Sequence, residues 1–272
     1  MDMKRGRVDF AVGRFFCLWS LAALGFWWWL GQERTGLRQL QQTGVIRIGY
    51  AVEAPYAFLS PEGRVTGEAP EIARVVVERL KIGRIHWRVT EFTNLIEELR
   101  AGQFDVIAAG LFITPERQEQ VRFSRPTFRA APALLVPRSA QLTQYPVSRQ
   151  EFPRPVAVLS GSAEEARWLS GGNAPEDLLI TPDAHAASIS LQQGKAGSVA
   201  LSAPSLGWMS LGHPDWEVLQ DHRATADLGG FAFRLEDHKL VQAWNEQLGR
   251  YLGSPEHLAL VKSFGFEKRD LP

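Results

Sequence analysis

The amino-acid sequence predicts an α/β protein of two lobes with a ligand cleft between them. Three observations carry that reading. From Val45 onward, short apolar runs alternate with stretches of helical periodicity. The alternation comes in two series, separated by a Pro-rich stretch from Pro132 to Pro155. After the second series, Gly229-Gly230 leads into one more apolar run and two closing helices.

Taken in order, VIRIGY (45–50) reads as a strand, and PEIARVVVERL (70–80) sets Ile72, Val75, Val76 and Leu80 along one helical face. RIHWRV (84–89) is a strand, LIEELRAG (95–102) a helix stopped by Gly102, and FDVIAAG (104–110) a strand. The second series runs PVAVL (155–159), a helix from Ser162, LLIT (178–181), a helix from Asp183, SVAL (198–201) and a helix after Pro204. FAFRL (231–235) precedes the closing helices, the last with Ser254 as N-cap and Pro255 in its first turn. If those helices pack back on the first lobe, that lobe is discontinuous and two crossovers join the halves. The expected organisation is 1–35 as an export signal or membrane anchor, 36–135 as the first part of lobe 1, 136–228 as lobe 2 and 229–272 as the second part of lobe 1.

Residues 1–31 differ in character from the rest. Lys4, Arg5, Arg7 and Arg14 precede the uncharged run from Phe15 to Gly31, the charged and apolar regions of an export signal. The best small-x-small cleavage site, Ala23-Leu24-Gly25, would leave an exposed Phe-Trp-Trp-Trp-Leu terminus. An uncleaved anchor over 15–31, with Trp27 to Trp29 at the outer membrane interface, is therefore favoured over a removed signal. Phe16 stands where a lipidated Cys17 would need a small residue, and as the chain's single cysteine Cys17 leaves the exported part without an internal disulfide.

The 272 residues carry 30 Lys+Arg against 30 Asp+Glu, and no basic run follows the first few residues. That balance lacks the footprint of a nucleic-acid binder. Beyond residue 31, 26 basic residues face 28 acidic ones, so the exported part is mildly acidic. The histidines at 86, 185, 213, 222, 238 and 257 form no i, i+4 pair and have no cysteine partners, which argues against a metal site. There is no nucleophile elbow, phosphate loop or dinucleotide fingerprint, and no cofactor is implied.

GVIRIGYAVEAPYAF (44–58), GEAPEIARVVVERL (67–80) and GLFITPERQEQVRFSRP (110–126), in that order, resemble the family 3 bacterial solute-binding proteins, the type II periplasmic receptors of ABC importers. The resemblance extends from about Leu37 to Phe266, and EAPYAF, GEAPEIA and AGLFITPER are most similar to the ectoine/hydroxyectoine-binding branch. It implies a two-lobed type II periplasmic binding protein fold and a receptor that takes a small zwitterionic ligand to the importer's membrane subunits; the apolar segments after residue 35 all fit buried strands or amphipathic helices, which predicts a monomer.

Thr114-Pro115-Glu116-Arg117 places a hydroxyl N-cap, a proline at N1 and an arginine in the first helical turn. Taken alone, Arg117 reads as a solvated helix-start charge; the resemblance implies that its fork clamps a ligand carboxylate. Glu53, Tyr56, Phe92 and Phe112 each follow the carboxyl end of a strand, where open α/β sheets gather ligand groups. Each aromatic alone reads as core. The resemblance implies that the carboxylate and three rings surround a delocalised ring cation. Ser162, three residues before Glu165, reads as a capping box and also as a lobe-2 ligand group. GKAGSVALS (194–202) carries no acid where amino-acid receptors of this family commonly place one, and Ala163 stands where a second hydroxyl is usual. Other readings are a polar amino-acid receptor, a membrane-anchored sensor acting through a partner, and a cyclohexadienyl dehydratase-like lyase with Glu53 as its acid.

Overall fold

The computed structural model describes residues 36–145, 151–172 and 174–272. The expected signal or anchor at 1–35 lies outside the described residues. Among those described, no helix is long and apolar enough to cross a membrane.

The chain opens with α1 (Leu37–Thr43), which Gly44 ends with φ 66°, and turns into β1 (Val45–Tyr50). A hairpin of β2 (Phe58–Leu59) and β3 (Val65–Thr66) leads to α2 (Glu68–Arg79) and β4 (Arg84–Val89). Then come α3 (Leu95–Arg100), β5 (Val106–Ile107), α4 (Pro115–Gln118), β6 (Arg122–Phe123) and β7 (Phe128–Ala130). The second lobe is built from β8 (Pro132–Pro137), β9 (Val156–Leu159), α5 (Ala163–Ser170), β10 (Leu178–Thr181), α6 (Ala184–Gln192), β11 (Ser198–Ser202), α7 (Ala203–Met209) and β12 (Trp216–Gln220). The return passes through β13 (Asp227–Gly229) and β14 (Ala232–Phe233) to α8 (His238–Tyr251) and α9 (Pro255–Ser263).

Two five-stranded sheets result, ordered β4-β1-β5-β14-β6 and β10-β9-β11-β8-β12. In the first, β1 runs parallel to β4 and β5, while β14 enters antiparallel between β5 and β6. In the second, β9 is parallel to β10 and β11, and β8 is antiparallel to β11 and β12. The crossover strands β7 and β13 pair antiparallel with each other, Thr127 N–H donating to Gly229 O beside them at 2.9 Å. The architecture is the expected two-lobed type II periplasmic binding protein fold.

Each lobe has its own core. Ile46, Ile48, Ile72, Val76, Phe233, Trp244 and Leu248 pack together in the first, so α8 packs on lobe 1. Fully burying one such side chain stabilises the fold by about 1.5–3 kcal/mol. Leu135, Leu159, Leu191, Val199 and Leu206 centre the second. The buried Asp105 carboxylate ties the separate parts of lobe 1: it accepts from Arg47 N at 3.0 Å and Nη2 at 2.7 Å, and lies 3.4 Å from Arg234 Nη2.

Sheet pairing sets the first crossover ahead of the expected boundary between 135 and 136. Pro132–Pro137 is already a strand flanked on both sides in the second sheet, although the Pro-rich stretch reads as a connection. Its terminal prolines occupy strand ends, where a missing N–H is tolerated, and Leu134 to Val136 are buried.

Candidate functional site

Loops at the carboxyl ends of β1, β4 and β5 meet the starts of α5 and α7 across the cleft. Glu53 lies in a tight loop after β1, where Glu53 and Ala57 exchange both backbone hydrogen bonds, at 2.8 and 2.9 Å. The first turn of α2 closes against this loop, Glu68 N–H donating to Pro55 O and Ala69 N–H to Tyr56 O. Gly67 makes that approach possible: its φ is 123°, and a Cβ there would stand 2.4 Å from Tyr56 O. Gly110, φ 65°, gives the Tyr56 ring its place on the other side, since a Cβ would lie 2.4 Å from the ring.

Glu53, Tyr56, Phe92, Phe112 and Ser162 come together around one small cavity of about 10 Å³, roughly the space of one water. Gly110, Leu159, Ala163, Glu164 and Leu201 complete its lining. Glu53 is buried, and its Oε1 accepts the Ser205 hydroxyl across the cleft at 2.6 Å. Burial pushes its carboxyl up to about 7, against the opposing Ser205 bond. Tyr56 donates its hydroxyl to Ser202 Oγ at 3.1 Å, also across the cleft, and packs on Phe128 at 4.6 Å between centroids. Phe128 touches Phe112 as well, at 5.8 Å, so the crossover strand β7 backs the cavity wall.

Arg117 stands beside the cavity. Thr114 caps α4 as expected, its hydroxyl accepting Arg117 N–H at 3.3 Å. The guanidinium lies 5.7 Å from the Phe92 ring centroid and is buried, which lowers its pKa. Nη1 donates to Phe112 O at 2.9 Å, and Nη2 crosses the cleft to Gly161 O at 3.0 Å. Two of its five N–H groups are thus given to backbone carbonyls, and three remain for a ligand.

Ser162 caps α5, accepting Glu165 N–H at 3.1 Å, but the expected reciprocal capping box does not form. The Glu165 carboxylate reaches one residue further back, to Gly161 N–H at 2.6 Å, because Ser162 N–H is already given to Leu159 O. Glu164, Ser202 and Ser205 are site groups that the sequence reasoning missed. Glu164 sits in the first turn of α5, where an acid reads as a response to the helix dipole. Ser202 does cap α7, accepting Ser205 N–H at 3.3 Å, which masks its second role. Phe58 of lobe 1 and Trp208 of lobe 2 also bring their rings to 5.2 Å between centroids, a further contact between the lobes. The arrangement is a closed, polar-seamed cavity with two acids, a flanking arginine and three rings, suited to hold a small charged molecule.

Compared with known families, residues 46–267 match the model described as bacterial extracellular solute-binding proteins, family 3. Among curated relatives, the chain is 29% identical over 240 residues to a probable amino-acid ABC transporter periplasmic-binding protein of Sinorhizobium fredii, covering 85% of this chain and 80% of the relative. It is 22% identical over 200 residues to the cyclohexadienyl dehydratase of Pseudomonas aeruginosa, covering 73% of each. Among solved structures, EhuB in complex with hydroxyectoine superimposes with a TM-score of 0.77 at 28% identity, covering 85% of this chain and 92% of that one.

Proposed function

The chain belongs to the bacterial extracellular solute-binding proteins, family 3, and on that premise we propose that it captures a small zwitterionic solute in the periplasm and delivers it, as a monomer, to an ABC importer. We further propose that the solute is ectoine or hydroxyectoine, and that residues 15–31 export the chain or hold it at the inner membrane.

The observation that carries the reading is the cavity wall itself. Ectoine joins a carboxylate to a cyclic amidinium. The faces of Tyr56, Phe92 and Phe112 attract such a delocalised cation, Glu53 accepts its N–H groups, and the unspent N–H groups of Arg117 take the carboxylate. The likeness to EhuB supports this choice over a standard amino acid. A cavity of about 10 Å³ admits no solute while closed, so the lobes part about β7 and β13, take the ligand and shut over it.

Mass spectrometry of the protein purified under native conditions identifies the solute it carries. Calorimetric titration with ectoine, hydroxyectoine and L-arginine then ranks them. Ectoine or hydroxyectoine binding more tightly than L-arginine is the expected result; the reverse order replaces the ectoine reading with that of an amino-acid receptor. One observation favours a second reading: the Glu53 carboxyl, pushed up to about 7, suits an acid catalyst, as the dehydratase relative suggests. Turnover of a cyclohexadienyl carboxylate, abolished by Glu53→Gln, would establish that lyase.

A further inference from the structure

We infer that the solute's cationic group is gripped from both lobes at once, by Glu53 of the first and Glu164 of the second, making Glu164 a specificity-determining residue. This inference rests on the proposed reading of the cleft as a solute site. The two acids arise far apart in the chain, Glu53 in the loop after β1 and Glu164 in the first turn of α5. Both line the same small cavity.

The charge count at this cavity points to a cation. Two carboxylates face one guanidinium, and Arg117 already gives Nη1 and Nη2 to the carbonyls of Phe112 and Gly161. With both acids ionised, the group carries one net negative charge. The rest of the wall is mostly apolar or aromatic, and the Ser205 hydroxyl on Glu53 and the field of Arg167 on Glu164 offset that charge only in part. A cation seated between the carboxylates satisfies both and bridges the lobes through charge-assisted hydrogen bonds.

The build of α5 separates Glu164 from its neighbour. Glu165 is committed to the helix start, its carboxylate on Gly161 N–H and its own N–H on Ser162 Oγ. Arg167, one turn further on, forms an ion pair with Asp227 of β13. Glu164 lines the cavity, half-buried, and burial raises its carboxyl above the usual range although its own backbone N–H opposes that shift. Part of the field on it comes from Arg117 and Arg167, and the balance still disfavours its charge in the closed cleft. A bound cation reverses that balance, so closure and cation binding reinforce each other.

Calorimetric titration of wild type, Glu164→Gln and Glu164→Asp tests this, with ectoine and L-arginine as cation-bearing probes and L-pyroglutamate as a carboxylate lacking a cation. Glu164→Gln should weaken ectoine and L-arginine roughly 10- to 100-fold, the range for losing one charge-assisted bond, and leave L-pyroglutamate within about threefold. Glu164→Asp should recover part of the loss. Ectoine affinity within about twofold of wild type in Glu164→Gln, or equal losses for all three probes, overturns the inference and leaves the solute-binding reading standing. A wild-type protein that takes neither cation overturns both.

Discussion

Glu68 offers the sharpest energetic test of the structure. Its side chain is 0% exposed at the start of α2, behind Tyr56, and neither carboxylate oxygen meets hydrogen-bond geometry. The nearby Thr127 hydroxyl opposes the effect of burial only in part, and the carboxyl is pushed from 4.5 up to about 7. The folded chain therefore keeps a proton that the unfolded chain releases. Stability from this group is whole below about pH 4.5 and falls as pH rises to about 7, where the folded form also ionises. At 1.36 kcal/mol per unit, the loss over that window is about 3 kcal/mol, or roughly 6–12 °C in Tm for a protein of this size. Glu68→Gln replaces the carboxyl with a group that does not titrate. Thermal unfolding followed by circular dichroism from pH 4.5 to 8.5 should show wild type losing several degrees more than the variant. Glu53, pushed up equally far, titrates in both proteins and cancels in the difference. Parallel curves would refute the argument, because a carboxylate with so little exposure would then be ionised without cost.

Arg117→Ala should weaken any carboxylate ligand by about 2–5 kcal/mol in calorimetry while circular dichroism stays normal, and it also removes the tie to Gly161 O across the cleft. Phe92→Leu keeps apolar bulk but removes the ring face, so ectoine should lose roughly 0.5–2 kcal/mol and L-pyroglutamate much less; equal losses would reduce the ring to a wall. Trp208→Ala removes the ring contact with Phe58 between the lobes, outside the cavity lining. Ligand should then dissociate faster by about 2- to 10-fold in stopped-flow measurements, in line with about 0.5–1.5 kcal/mol for an aromatic pair.

The central strands of lobe 1 were legible because their apolar runs are bounded by glycines and helical periodicity; Glu53, Phe92 and Phe112 follow their carboxyl ends, but it was the family resemblance that singled them out from core residues. Tyr56 came with the same loop. β8 was not legible, since prolines at both of its ends punctuate the sequence like a linker, and its place between β11 and β12 depends on partners distant in the chain. Most of the lobe-2 side of the site was hidden for a different reason, Ser162 being the one lobe-2 group anticipated. Ser202 and Glu164 stand at helix starts, where local capping and dipole effects already account for a hydroxyl or an acid. Only the closing of one lobe on the other gives Ser202 to the Tyr56 hydroxyl and Ser205 to Glu53.

The insertion of β14 between β5 and β6 has a consequence for how the molecule comes into being. Every strand of the second sheet is complete by Gln220, whereas the first sheet lacks an interior member until Phe233 has been made. As the chain emerges from its amino end, lobe 2 can therefore assemble first, while β5 and β6 wait with unpaired edges for a partner that arrives more than a hundred residues later. A chain stopped short of residue 231 would carry a finished second lobe and a first lobe open along its middle, with Asp105 deprived of Arg234 and the apolar face of α2 deprived of Trp244.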